Sequence, residues 1–465
     1  MKTQTADAPV TLLKLGVPPW LAVVLACICS FMVVFDGAVV NLALPAMQAE
    51  LQLSAAAQQW VVDSYLLCLG SLMLVSARAS DWWGRRRVLM LGIAVFTLAS
   101  VWAGSAGSAL TLLLARALQG CGASALATST LAIIVTVYPS GQAKARAISA
   151  WAASSSLAVA AGVVAGGLLT SELGWRSVMW LNLPIGIVLF LGVALAMQSQ
   201  TKPNQAAKSL DWPGGLSITL AMASLLWLLT QVPQARQADG NLLLLGLGCG
   251  LAWAGFFWLE RRHSAPLVPL HLFKIPAVSL GNFVVLGMGA ILTASNYFVS
   301  LYLQKQLHYS AWQAAMTMLP MALSLAVAAM IAREALDRGV RQLPFYGGVC
   351  SALGLLGLSW QTQQGQTAQS LMLALIICGT GLGLMLMTAT HTAFAAMPKD
   401  AAGLAAGLFN SARQLGAALG IALLSLVAGA EQGAGLNYSL VFAVAALWMA
   451  GVALVARRLP GLVAH

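Results

Sequence analysis

Five ionisable side chains sit inside long apolar stretches of this chain: Asp36, Asp63, Arg116, His391 and Arg413. A charge in hydrocarbon is expensive, so each asks for a partner or a task. A buried carboxyl keeps its proton when alone and gives it up beside a guanidinium. Asp36, Asp63 and Arg116 therefore have the makings of a proton-binding unit whose balance shifts when water or a ligand enters. Two carboxylates would also attract a cationic ligand. The plainer reading is a static ion pair between Arg116 and one aspartate that only holds helices together. Arg413, followed by Gln414, is a candidate for a polar cavity wall, while His391, near the end of its stretch, fits a packed or wetted histidine.

The elements that must position these groups are membrane helices. Of 465 residues, 60% are hydrophobic and 8% charged, too few charges to cover a water-soluble surface. Apolar runs fall at 20–43, 57–76, 88–106, 109–136, 146–170, 177–197, 213–232, 241–259, 277–303, 312–333, 343–360, 369–396, 401–427 and 437–456. Each is long enough to cross ~30 Å of hydrocarbon as a helix. The expected fold is an all-α polytopic membrane protein with about fourteen crossings. The polar segment Met1–Lys14 precedes the first run without a cleavage site, so that run reads as a first helix. Counted from the outer ends of their runs, Asp36, Asp63 and Arg116 share a depth of ~10 Å.

The net charge is +11, and its distribution decides what it means. With the N-terminus in the cytoplasm, only Arg176, Arg236 and Lys305 of the 24 Lys/Arg fall on outer loops, and only Arg116 and Arg413 within runs. That asymmetry places both termini in the cytoplasm. It makes a lipid bilayer, and no nucleic acid, the expected counterpart of the positive charge.

The polar break Gln198–Leu210 separates six runs (1–200) from a linker with runs seven and eight (201–262) and from the last six (263–465). A faint repeat supports paired halves. Asp81-Trp-Trp-Gly84-Arg85-Arg86-Arg87 follows the second run of one half, and Asp337-Arg338-Gly339-Val340-Arg341 the second run of the other. Paired halves with a site between them are a common transporter plan. Gly120, Gly162, Gly166 and Gly167 would let helices approach and slide. Asn41, Trp60, Tyr65, Asn296, Tyr297 and Arg413 are candidate cavity residues, with Trp180, Phe298, Met385 and Met387 as apolar company. The seven cysteines show no metal or redox spacing and read as packing. No P-loop, metal cluster or nucleophile elbow occurs, so neither an enzyme nor a cofactor is expected, and a proton gradient is the expected energy source.

Taken together these motifs resemble the major facilitator superfamily, specifically its fourteen-helix drug:proton antiporters, over nearly the whole chain. The resemblance rests on Asp36-Gly-Ala-Val-Val-Asn41-Leu-Ala-Leu-Pro45, Trp60-Val-Val-Asp63-Ser-Tyr65, the loop Ala77 to Arg87 and Arg116-Ala-Leu-Gln119-Gly120-Cys-Gly122. Further matches are Gly174-Trp175-Arg176, Asn182-Leu-Pro184-Ile-Gly186, Asp211-Trp-Pro-Gly214, Pro266 to Phe273, Tyr302-Leu-Gln304, Leu319-Pro320 and Asn410 to Gly416. It implies two six-helix bundles plus an inserted two-helix hairpin. It also implies proton transfer at Arg116 and a cytoplasmic gate at Asp81, Gly84, Arg85 and Arg86, echoed by Asp337 and Arg338. Ala77 stands where that signature begins with Gly. Val163 stands where the family's fifth helix carries Pro, which removes a helix distortion.

The expected activity is proton-coupled efflux of hydrophobic or cationic toxic compounds across a bacterial inner membrane, by a monomer. Export of one endogenous metabolite or siderophore-like compound is the alternative, and a non-transporting membrane sensor a minor one. A periplasmic adaptor is left open.

Overall fold

Polar residues between the apolar runs become helix caps, and the caps repeat. Ser54 accepts a hydrogen bond from Ala57 N, and Ser310 from Gln313 N, each satisfying an N–H that the helix start leaves free. Two residues before each serine the chain takes a left-handed turn on a side chain that rarely adopts it, Gln52 (φ 51°) and His308 (φ 54°). Ser54 to Asp81 and Ser310 to Asp337 span equal lengths of chain, and Gly84 (φ 93°) and Gly339 (φ 86°) follow. The faint loop repeat thus extends through a whole helix and its preceding turn.

The computed structural model describes residues 13–14, 16–138, 141–198, 211–232, 240–263, 266–268, 270–340, 342–365, 368–395, 402–429 and 436–459. Among these residues, fourteen helical spans are long and apolar enough to cross a membrane. The first half holds α1 (Pro19–Leu51), α2 (Ala55–Trp83), α3 (Arg85–Gly104), α4 (Ala109–Val137), α5 (Gly141–Leu173), and α6 (Trp175–Trp180) with α7 (Asn182–Ala196) as one broken span. A hairpin follows, α8 (Trp212–Gln231) and α9 (Gly240–Arg262). The second half holds α10 (Pro276–Leu301), prolonged by a π-helical turn (Tyr302–Gln306), α11 (Ala311–Asp337), α12 (Leu343–Gln363), α13 (Ala368–Ala395), α14 (Ala402–Ala428) and α15 (Tyr438–Ala456).

Several helices outrun the apolar stretches that announce them. α1 begins at Pro19 and continues to Leu51, well past residue 43, and α2 runs to Trp83 rather than 76. Hydropathy marks only the part within hydrocarbon, whereas the backbone stays helical into the interface until a cap or glycine stops it. α5 is continuous through Val163, with no proline to interrupt it. The sixth span breaks at Leu181, just ahead of Asn182 and Pro184.

Within the first half α1 packs on α5 and α4 on α2 and α3, while in the second α13 packs on α11 and α12, and α10 on α14. The halves meet where α5 lies along α11 and α2 along α14. α8 touches both α2 and α14, and α9 packs on α8. At the end that carries Arg85–Arg87, called here the basic end, Lys14 and Arg86 both donate to Ala194 O, at 3.1 and 3.2 Å. They tie the chain start and α3 to the end of α7.

Glycine makes the tightest of these contacts possible. At Gly120 a Cβ would collide with the Tyr65 carbonyl oxygen and press on Cys68, so α4 seats on α2 only with hydrogen there. Gly162 and Gly166 lie against α1 at Ala38 and Val39, whereas Gly167 faces α11 at Ala315, across the seam. Gly120→Ala is expected to cost about 1–3 kcal/mol by overpacking, read as a lowered Tm of the detergent-solubilised protein.

Candidate functional site

Arg116 lies wholly buried at the centre of a polar cluster in the first half. Its Nη1 donates to Asp36 Oδ2 and to Gln119 Oε1, both at 2.6 Å, and its Nε to Val61 O at 3.1 Å. Its guanidinium carbon stands 4.3 Å from the centre of the Tyr65 ring, a cation–π contact. The Tyr65 hydroxyl donates to Val33 O at 3.1 Å. Asp36 Oδ1 accepts from Gln119 Nε2 at 2.7 Å and from Asn182 Nδ2 at 3.2 Å. Ser100 Oγ joins the two amides, at 2.8 Å from Gln119 and 3.3 Å from Asn182.

Both oxygens of Asp36 are thus occupied, and five helices share the cluster: α1, α2, α3, α4 and α7. A buried pair is held firmly only when such extra bonds satisfy what the ion pair leaves over. The break before α7 has a local purpose, because it places Asn182 beside Asp36. Two atoms remain without a hydrogen-bond partner among the described residues, Arg116 Nη2 and Asn182 Oδ1.

Asp63 stands apart from this cluster. The shared depth of the three residues does not bring Asp63 to Arg116, because Arg116 bonds the α2 backbone at Val61. Asp63 is fully buried and accepts from Gln59 Nε2 at 2.8 Å on Oδ2. Its Oδ1 has no partner among the described residues. Tyr297 of α10, packed edge-on against Phe298 at 5.1 Å between ring centres, lies within electrostatic reach. Asn41 Oδ1, on α1, is likewise buried and unpartnered among the described residues.

The other expected cavity residues are dispersed. Trp60 faces the hairpin, 5.9 Å from Trp227, because its side of α2 is the one that α8 covers. Asn296 bonds back to its own helix at Leu292 O, at 2.8 Å. Arg413, on α14, packs against Gly289 of α10 and makes no ion pair among the described residues.

The halves are latched at the end opposite the basic one. Ser300 Oγ donates to Asn41 O at 2.8 Å, Gln304 Nε2 to Leu42 O at 3.2 Å, and Lys305 Nζ to Gln58 Oε1 at 2.8 Å. Trp312 N donates to Ser171 Oγ at 3.0 Å. At the basic end Arg85 bonds Ala132 O (3.1 Å) and Arg86 bonds Ala194 O (3.2 Å), both on helices of the first half. Arg338 pairs with Glu334 of its own helix at 2.6 Å, and the Asp337 side chain lies outside the described residues. Across the halves at this end, Arg333 donates to Ser149 Oγ.

Lys305→Met removes a charged hydrogen bond from the opposite-end latch, a loss of about 1.5–3 kcal/mol. The expected result is roughly tenfold faster modification of a cysteine placed at Ala315 by a membrane-impermeant maleimide. An unchanged rate would mean that the lysine does not hold the latch.

Gln119, Asn182, Ser100 and Gln59 escape a search for charges. Their signal is an amide or hydroxyl inside an apolar run. Gln119 follows Arg116 by three residues and Gln59 precedes Asp63 by four, the spacings that share a helix face.

Among the described residues, fourteen helices long and apolar enough to cross a membrane, in two halves latched at one end, define a multi-pass membrane protein. The sequence profile of the Major Facilitator Superfamily matches residues 26–421, and the chain belongs to that family. It is 36% identical over 419 residues to the puromycin resistance protein pur8 of Streptomyces alboniger, covering 88% of this chain and 81% of the relative. It is 34% identical over 451 residues to the cephamycin export protein CmcT of Amycolatopsis lactamdurans, covering 95% and 92%. Among solved structures, the D-xylose-proton symporter superposes with a TM-score of 0.66 over 92% of this chain and 97% of its own, at 12% identity, a likeness of fold alone.

Proposed function

We propose that the protein exports hydrophobic, cationic toxic compounds in exchange for protons, by alternating access across a bacterial inner membrane. The observation that carries this reading is Asp63: a fully buried carboxyl group within electrostatic reach of Tyr297 in the other half, with one oxygen lacking a hydrogen-bond partner among the described residues. Such a group takes either a proton or a cation, and the two compete. Asp36 and Arg116 form a buried ion pair that shapes the field around that exchange. The relatives named for drug resistance and antibiotic export support efflux as the direction of transport.

On this reading the basic end faces the cytoplasm with both termini, in keeping with the positive-inside rule. The latched end faces outward, the proton gradient alone supplies the energy, and one chain suffices. Release to the outside requires the Lys305–Gln58 and Ser300–Asn41 contacts to part. A broad toxic-compound susceptibility screen with and without the gene tests the function, followed by uptake into everted vesicles under an imposed pH gradient. Sensitisation to several unrelated cations is expected. Protection against a single compound would favour the second reading, a dedicated metabolite exporter, to which the name of the cephamycin export protein lends support. Reconstituted protein that moves no compound under the gradient would leave a membrane sensor.

A further inference from the structure

The first helix of the inserted hairpin, α8, is tied to α2 along its length. Toward the latched end, Trp60 of α2 lies 5.9 Å from Trp227 and donates to Thr230 Oγ1 at 3.5 Å. Midway, Thr219 Oγ1 donates to Ser71 Oγ at 2.8 Å. Below that, Gly215 seats against Val75, where a Cβ would collide. At the basic end Arg78, still on α2, donates to Pro266 O. Among the described residues, the side chains of α8 make no hydrogen bond to α14, which α8 touches on its other side.

The residues after the hairpin are held as well. Asp211 caps α8 by accepting from Gly214 N on Oδ1 at 2.8 Å, and its Oδ2 accepts from Leu267 N at 3.1 Å. Glu260, in the last turn of α9, accepts from Val268 N. Both carboxylates are buried, with Asp211 at 1% and Glu260 at 2% exposure. One aspartate thus closes the start of the hairpin onto the segment that leaves it. Among the described residues, these ties end at Val268. A single 3-10 turn, Leu270–Lys274, then leads into Pro276 at the start of α10.

We propose that α8, α9 and residues 266–268 move with α2 as part of the first half, and that the turn Leu270–Lys274 is the hinge on which the second half rocks. The boundary between moving bodies then falls after the hairpin, and α14 slides past α8. This rests on the alternating-access reading given above. The physical reason is an asymmetry of contacts. α8 is joined to α2 by hydrogen bonds, an aromatic pair and a glycine seat, whereas directional bonds to α14 are lacking among the described residues.

The test uses Ser71→Cys with Thr219→Cys, whose hydroxyls already stand 2.8 Å apart, close enough for a disulfide after small adjustment. Opening of the latched end is read by mass spectrometry as maleimide labelling of Ala315→Cys, since Ala315 is buried against Gly167 at the seam. The comparison is a cross-link between the halves, Ser171→Cys with Trp312→Cys. The α2–α8 disulfide is expected to leave labelling unchanged, and the α5–α11 disulfide to slow it at least about tenfold. If the α2–α8 disulfide slows labelling as much, and reduction restores it, the hairpin moves against α2 and the inference is overturned. Unchanged labelling in a protein that shows no pH-driven export would count against the proposed function while supporting the rigid body.

Discussion

Asp63→Asn is expected to abolish coupling to the pH gradient while leaving the fold intact. Asparagine keeps the shape of the side chain and can still accept from Gln59, the one hydrogen bond Asp63 makes among the described residues. It can neither carry a negative charge nor exchange a proton. Gradient-driven export in proteoliposomes should therefore fall by at least about tenfold, the effect of ~1.4 kcal/mol or more lost in the coupled step. Stability in detergent should stay within about 1 kcal/mol of wild type, read as a nearly unchanged Tm, since no packed volume is removed. Asp36→Asn separates the roles of the two aspartates. Its oxygens already accept from Arg116, Gln119 and Asn182, so it should lose stability first and coupling only as a consequence. Undiminished coupling in both variants would sink the proton-exchange mechanism.

The second large effect is structural. Arg116→Ala removes the cation that faces Asp36 at 2.6 Å, empties the space over the Tyr65 ring and frees the Val61 carbonyl. Removing one member of a buried pair leaves the other uncompensated and costs about 3–5 kcal/mol. A large fall in Tm, or loss of the protein from the membrane fraction, is the expected result. The double variant Asp36→Asn with Arg116→Gln should recover part of that loss, because two neutral amides can bond each other where a lone carboxylate cannot. If the double variant is as unstable as the single one, lost packing rather than the orphaned charge is responsible. Arg116→Lys keeps the charge but not the fork of donors. It cannot reach Asp36, Gln119 and Val61 together, so only partial rescue is expected.

Much of this protein is local in origin, and its sequence determines that much unaided. Apolar runs fall out at bilayer length, the Lys/Arg collect in every second loop, and Ser54 and Ser310 start helices where they stand. Burial in lipid, capping and charge placement each depend on a few neighbouring residues, so they survive without knowledge of the partner. The isolated charges were legible for the same reason: Asp36, Asp63 and Arg116 stand out against apolar surroundings. Only the tertiary structure decided which of them meet. Depth is a count along one helix, but partnership depends on how each helix is rotated, and each residue turns the face by a third of a circle or so. That rotation sends Arg116 to Asp36 and to the Val61 carbonyl, and it leaves Asp63 with Gln59 of its own helix. The same limit hid Asn182, which reaches Asp36 only because the chain breaks before α7, and it hid the strap from Asp211 to Leu267, which joins residues far apart in sequence.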